Sequence, residues 1–440
     1  MTSFNLAFCQ SLQAINEAKP QKHGPLHRYL GPPAPPACTK AIRRSIEWGA
    51  ATAAYQIEGG WDEGGKSNSV WDVWSQTPGK VAQNQTGNTA CDHYHRWRED
   101  VQLMQQLGLK HYRLSFSWPR IVPGGVAGSP ANPEGLHFYK QLLSSLRAAG
   151  IAPLVTLFHW DLPQVLQDDH GGLLGEQFPE HFAYYADVVF RELGRFVSHW
   201  VTLNEPLVTC SMGYQSGVFP SGLQLGTQAF LQCGHNQLKA HAKAVQLYRQ
   251  RYSRRQKGHL SLAVPGWWMI PYDASSKANR AAAARAMEFR WGWMFDPVIT
   301  GDYPTAMRAH FDSQLPAFSA EGQQLLKGSV DFLGVNIYTA RYVADGSENG
   351  MPWVESLTNA SGAALCPDSD ELCLAVAQDG VNVQGFYAWS LMDNFEWADG
   401  YRPRFGLVYV DYENGLRRLP KRSAAWMARH FFLKRQLGQW

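Results

Sequence analysis

The chain has 440 residues, with 40 Lys+Arg against 37 Asp+Glu, 45% hydrophobic and 18% charged. That composition excludes a disordered protein and suits two or three ordinary domains or one large α/β barrel. A net charge of +3 gives no field for binding nucleic acid, and no apolar run reaches the roughly 18–20 residues of a membrane span. Residues 1–42 contain the proline-rich run GPPAPPA at 31–37 and read as a disordered extension or an organellar transit peptide. They have no continuous apolar stretch, so no secretory signal is expected. A cytoplasmic protein is the default, with plastid targeting as the alternative. Residues 43–440 read as a single domain.

Within that domain short apolar runs predict strands and 3.6-residue periodicity predicts helices. In chain order they are a strand over 46–54, a helix over 98–107 stopped by Gly108, and a strand over 111–118. A helix over 136–149 and a strand over 153–159 follow. Next come a helix over 179–196, a strand over 199–204, a helix over 235–249 and a strand over 259–264. A helix over 281–290, strands over 330–338 and 382–391, and a helix over 423–432 complete the chain. Strands alternating with helices imply parallel βαβ units. Seven such strands are found, not eight.

The seven cysteines are odd in number and form no CxxC pair, so metal and redox motifs are absent and no cofactor is expected. In a chain this large most of them are expected to be reduced thiols. The 17 Trp, 18 Tyr and 21 Phe serve either a large aromatic core or flat platforms for sugar rings. Polar residues gather where strands end: Gln56, His159, Asn204, Glu205, Asn336, Tyr338 and the 389–397 cluster. In a βα barrel that is the end where chemistry sits.

The segments WGAATAAYQIEGGWDEGGKSNSVWDVW (48–74), YRLSFSWPRI (112–121), VTLFHWDLP (155–163), HWVTLNEP (199–206), DFLGVNIYTARY (331–342) and DGVNVQGFYAWSLMDNFEWADGYRPRFGLVYVD (379–411) carry a resemblance. With TLNEP and WSLMDNFEW in this order, the chain resembles the glycoside hydrolase family 1 β-glucosidases of plants and algae. The resemblance implies a TIM (β/α)8-type barrel and hydrolysis of small-molecule β-glycosides with retention, without a cofactor. Retention takes two carboxyl groups roughly 5–5.5 Å apart, one donating a proton and one attacking the anomeric carbon. The resemblance makes Glu205 the acid/base, with Asn204 on the sugar 2-hydroxyl. A surface-loop carboxylate is the competing reading of Glu205. Gln56, His159 and Glu396 would hold other hydroxyls, Trp389 would lie under the ring, and Trp397 would use its indole N–H. Core packing is the competing role for Trp389. Tyr338 would bond the nucleophilic carboxylate, with Asn336 nearby. A carboxylate at Glu396 would repel a 6-phosphate, so unphosphorylated glycosides are implied.

One part of the family pattern is missing. The nucleophile belongs to an ITENG-like motif ending strand seven, and no such motif occurs here. Ser347-Glu348-Asn349-Gly350 is the nearest match, but it follows turn residues only ten positions after Tyr338, so Glu348 reads as coincidental. Residues 343–370 read as loop, and 371–383 as the end of a helix leading into the last strand. The strand-seven region is therefore expected to be deleted. The strands at 330–338 and 382–391 should then either pair directly or leave a gap in the wall.

Overall fold

The computed structural model describes residues 46–348, 350–357, 360 and 381–433. The extension read at 1–42 and most of the segment read at 371–383 as a helix end leading into the last strand, namely 371–380, lie outside the described residues. The backbone forms β1 (Glu47–Ala51), α1 (His93–Leu107), β2 (His111–Ser115), α2 (Pro133–Ala148), β3 (Ala152–Phe158) and α3 (Phe178–Leu193). It continues through β4 (His199–Asn204), α4 (Gly226–Arg251), β5 (His259–Pro271), α5 (Lys277–Met287), β6 (Gly334–Ala344), β7 (Val354–Ser356), β8 (Gly385–Trp389), β9 (Val408–Asp411) and β10 (Arg417–Pro420).

Local chemistry explains the boundaries. α1 stops at Gly108, whose φ of 80° is left-handed backbone that glycine adopts without strain. α2 starts at Asn132, whose side chain accepts from the Glu134 N–H, with Pro133 in the first turn. β3 is a continuous apolar run because it is covered on both faces, as parallel strands are.

The sheet runs β7-β6-β5-β4-β3-β2-β1-β8. Every pairing from β6 to β8 through β1 is parallel. These are the seven strands read from the sequence. The sheet is strongly curled. β2 and β6 are four strands apart, about 19 Å in a flat sheet at ~4.8 Å per strand, yet Arg113 on β2 hydrogen-bonds Asn336 on β6 at 3.0 Å. Leu154, Val201 and Ala263 from β3, β4 and β5 likewise meet Tyr387 from β8 across the interior. The fold is thus of the TIM-barrel type, with helices outside. Trp118 stacks on Tyr185 of α3 at 4.8 Å and 7° in that outer core.

Three readings change. β5 and β6 run to Pro271 and Ala344, past their expected ends, because they keep pairing with each other beyond the barrel rim. The segment after β6, read as loop, contains the short strand β7, antiparallel to the end of β6. Cys210 and Cys233, expected as thiols, form a disulfide with a Cα–Cα distance of 5.6 Å. Their separation of 23 residues has no motif spacing, and only the docking of α4 on the turn after β4 brings them together. Cys91 is a free, buried thiol, pushed up to about 12 mainly by burial.

β6 and β8 do not pair among the described residues. Leu333, Val335 and Ile337 at β6 and Phe386 on β8 are exposed, unlike the apolar side chains of β2–β4. No helix among the described residues is long and apolar enough to cross a membrane.

Candidate active site

β4 ends at Asn204, and Glu205 follows in left-handed backbone at φ 49°. For a non-glycine residue this costs on the order of 1–2 kcal/mol. The turn is held because the Glu205 N–H donates to the Ala263 carbonyl at 2.7 Å and Pro206 opens the next helical turn. Trp160 and Trp397, beside it at the same end of the barrel, share this conformation.

A network of side chains orients the carboxyl. The Asn336 Nδ2 donates to Glu205 Oε1 at 2.6 Å and to Asn204 Oδ1 at 3.0 Å. Arg113 donates from Nη2 to Asn204 Oδ1 at 2.6 Å, from Nη1 to Asn336 Oδ1 at 3.0 Å, and from Nε to Thr156 Oγ1 at 3.2 Å. With its oxygen accepting twice, Asn204 must use Nδ2 toward His159 Nε2, 3.1 Å away. Nε2 therefore accepts, and the imidazole proton sits on Nδ1. Burial, reinforced by the Arg113 charge, holds His159 well below its usual pKa, so the ring is neutral.

Glu205 is buried, and burial raises its pKa against the opposing pull of Asn336 and Arg113. A raised carboxyl keeps its proton further toward neutrality, as a proton donor needs. Glu396 follows β8 in a loop anchored by buried Asp393, whose Oδ1 accepts from Lys421 at 2.8 Å and from the Gly406 N–H at 3.0 Å. Burial first, then the charges of Asp399 and Glu205, push the Glu396 carboxyl up to about 8. Gln56 Nε2 donates to Asn394 Oδ1 at 2.8 Å, to the Phe395 carbonyl at 2.8 Å and toward Glu396 Oε2 at 3.2 Å.

The aromatic residues form the wall. Trp397 lies nearly parallel to Tyr55 at 6.1 Å and to His159 at 6.0 Å, and Trp389 lies nearly parallel to His159 at 6.0 Å. Tyr338 feels both carboxyls: its pKa is raised by burial, then by Glu205 and Glu396. The structure thus gathers Gln56, His159, Asn204, Glu205, Asn336, Tyr338, Trp389, Glu396 and Trp397 at one end of the barrel.

Glu348 is elsewhere. It is exposed, in a turn whose backbone pairs Glu348 with Met351 beyond the end of β6. That hairpin is tied to α5 by the Arg285–Asp345 ion pair at 2.9 Å.

Arg113 was not among the residues singled out from the sequence. The signal for it is a charged residue in the run HYRLSFSW. Alternation puts Tyr112, Leu114 and Phe116 on the buried outer face and turns Arg113 inward with Ser115.

Comparison with known proteins agrees with this geometry. The Glycosyl hydrolase family 1 model matches residues 38–364 and 370–433. Beta-glucosidase 42 of Arabidopsis thaliana is 39% identical, over 89% of this chain and 93% of its own length. Beta-glucosidase 24 of Oryza sativa subsp. japonica is 37% identical over 475 aligned positions, 88% of this chain and 94% of the rice protein. Since 88% of 440 residues is about 387, roughly 90 of those positions lie opposite gaps in this chain. The β-glucosidase of Trichoderma harzianum superposes with a TM-score of 0.85 at 38% identity, covering 88% of this chain and 96% of that one. A family 1 β-glucosidase of Humicola insolens, solved with glucose, gives 0.85 at 35% identity, covering 88% and 97%. Its sequence, fold and strand-end pocket together place the chain in glycosyl hydrolase family 1, a glycosidase of the β-glucosidase type.

Proposed function

We propose that the pocket takes β-D-glucosides and that Glu205 gives its proton to the leaving oxygen. One observation carries this reading: two buried polar atoms beside the aromatic wall, the acceptor Gln56 Oε1 and the donor His159 Nδ1, have no partner among the described residues. Unpaired buried polar groups cost about 1–3 kcal/mol each, which a ligand bearing hydroxyls would recover. A polyol ring lying against Trp389 would meet these groups, with Glu396 and Trp397 on further hydroxyls and Asn204 on the 2-hydroxyl. The raised Glu205 would be protonated as the leaving oxygen develops charge.

We further propose that the chain lacks strand seven and its carboxylate. The break between the two matched stretches at 365–369, the gaps against the rice relative, the lack of pairing between β6 and β8 among the described residues and the exposed apolar residues beside them support this. The exposed placement of Glu348 favours a second reading, in which the pocket binds β-glucosides but turns them over slowly. Hydrolysis of a chromogenic β-glucoside at a rate typical of the family supports the first reading and overturns the second. Glucose-dependent thermal stabilisation without turnover supports the second: about 2.7 kcal/mol is expected at a hundred times Kd. Neither turnover nor stabilisation would refute both.

A further inference from the structure

Two buried cysteines and one exposed asparagine bear on where this chain is made. Cys210 and Cys233 are fully buried and bonded to each other, 23 positions apart and outside any CxxC spacing. A disulfide shut away from solvent is structural, whereas exchanging redox centres are exposed. Structural disulfides form and persist in oxidising compartments and are rare in the cytosol. The bond therefore speaks for folding in an oxidising lumen, against the cytoplasmic default read from the sequence. In such a lumen the triplet Asn-X-Ser/Thr gains chemical meaning as an acceptor of sugar. Asn84-Gln85-Thr86 is such a triplet, with no proline in the middle. Asn84 ends the short turn Ala82–Asn84 in left-handed backbone at φ 52°, which asparagine tolerates better than most residues. Its side chain is exposed. Oδ1 accepts from the Gly79 N–H at 2.7 Å, which fixes the amide and leaves Nδ2 without a hydrogen bond among the described residues. The next two residues face the protein. Gln85 Oε1 accepts from the Tyr401 N–H at 2.7 Å, and the Tyr401 O–H donates to the Thr86 carbonyl at 2.8 Å. The triplet is thereby anchored on the loop that carries Glu396 and Trp397, whose own backbone closes from the Glu396 N–H to the Gly400 carbonyl at 2.7 Å.

We propose that Asn84 is an N-glycosylation site, carrying one oligosaccharide taken from a lipid-pyrophosphate donor. Asn84 Nδ2 bonds to the anomeric carbon of the oligosaccharide as the C–O bond to the pyrophosphate breaks. The lipid pyrophosphate leaves with the electron pair, and the transferase takes the proton from Nδ2. The Thr86 hydroxyl is the second group that the transferase reads. Substitution at Nδ2 leaves Oδ1 able to accept, so the modified residue keeps its bond to Gly79. The glycan stands in solvent beside the loop of Glu396 and outside the pocket, because Asn84 is exposed where Gln85 and Thr86 turn toward that loop.

The experiment expresses the full chain in plant cells and reads Asn84 in the recovered protein by peptide mass spectrometry, before and after a peptide N-glycosidase. Alkylation of the same sample reads Cys210 and Cys233. A glycopeptide spanning Asn84, a faster-running band after digestion and a bonded cysteine pair are expected. Peptide mapping keeps this position apart from the second triplet, Asn359-Ala360-Ser361, which falls largely outside the described residues. Asn84→Gln and Thr86→Ala should each abolish the modification, and Thr86→Ser, which keeps the hydroxyl, should retain it. That rescue separates recognition by the transferase from a folding defect. Unmodified Asn84 in the recovered chain overturns the site. If the cysteines are then bonded, the acceptor reading has failed; if they are reduced, the compartment reading has. A modification of this peptide that survives Asn84→Gln or Thr86→Ala overturns it equally.

Discussion

Replacing Glu348 with alanine should leave the chain's action on an activated aryl β-glucoside unchanged, within about twofold. The structure supplies the magnitude. Asn336 touches Glu205, and eight residues of β6 separate it from Ala344, about 26 Å at ~3.3 Å per residue. Glu348 lies beyond Ala344, on the turn. A carboxylate working with Glu205 must stand roughly 5–5.5 Å from it, and misplacement by about 1 Å already costs about a hundredfold. At a separation on the order of 20 Å its contribution is nil. The assay compares this chain, its Glu348→Ala variant and a form with a strand-seven segment restored after Asp370. The first two should match each other and fall far below the third. Azide should partly rescue this chain: one azide nitrogen bonds to the anomeric carbon as the C–O bond to the aryl group breaks, giving the inverted glycosyl azide. The reasoning is refuted if this chain is as active as the restored form and Glu348→Ala abolishes that activity.

Three further outcomes are expected. Above the pKa of about 8 of Glu396, an aryl β-glucoside should bind more tightly than its 6-phosphate, because the phosphate would meet the ionised Glu396 carboxylate; equal or tighter binding of the phosphate in a competition assay at pH 9 refutes that placement. Glu396 is raised to about 8 in the folded chain from an ordinary 4.5, so across that window the folded state holds a proton that the unfolded state has released. Its contribution therefore lowers stability as pH rises from about 4.5 to about 8, and Glu396→Gln should flatten that slope in urea melts at pH 5, 6.5 and 8; an unchanged slope contradicts the assignment. Arg120→Met strands Glu58, whose other oxygen accepts from Tyr139 at 2.6 Å, and should destabilise by about 3–5 kcal/mol in urea, part of which Glu58→Gln should restore.

Much of the site was legible because its residues sit in strongly patterned text. A strand such as PLVTLF announces itself by local apolar runs, and the polar residue that ends it, here His159, falls where a barrel does its chemistry. The same logic read seven parallel strands and placed Gln56, Asn204, Glu205 and Asn336 at one end. It passed over Arg113, whose significance lies entirely in partners 91 and 223 positions away. It also missed the Cys210–Cys233 bond, and the short strand β7, which exists only because the end of β6 offers it an edge.

By itself the sequence determined the alternation of strands and helices and the identity of the strand-end side chains, because periodicity and turn chemistry act over a few neighbouring residues. The tertiary structure alone decided how those side chains differ. Burial and charge fall on each group according to what stands within a few ångströms of it in space. Curling the sheet brought Arg113 against Asn336 and Asn204, fixed the proton on His159 Nδ1, raised Glu205 and Glu396 by separate sets of neighbours, and left Glu348 exposed beyond the rim.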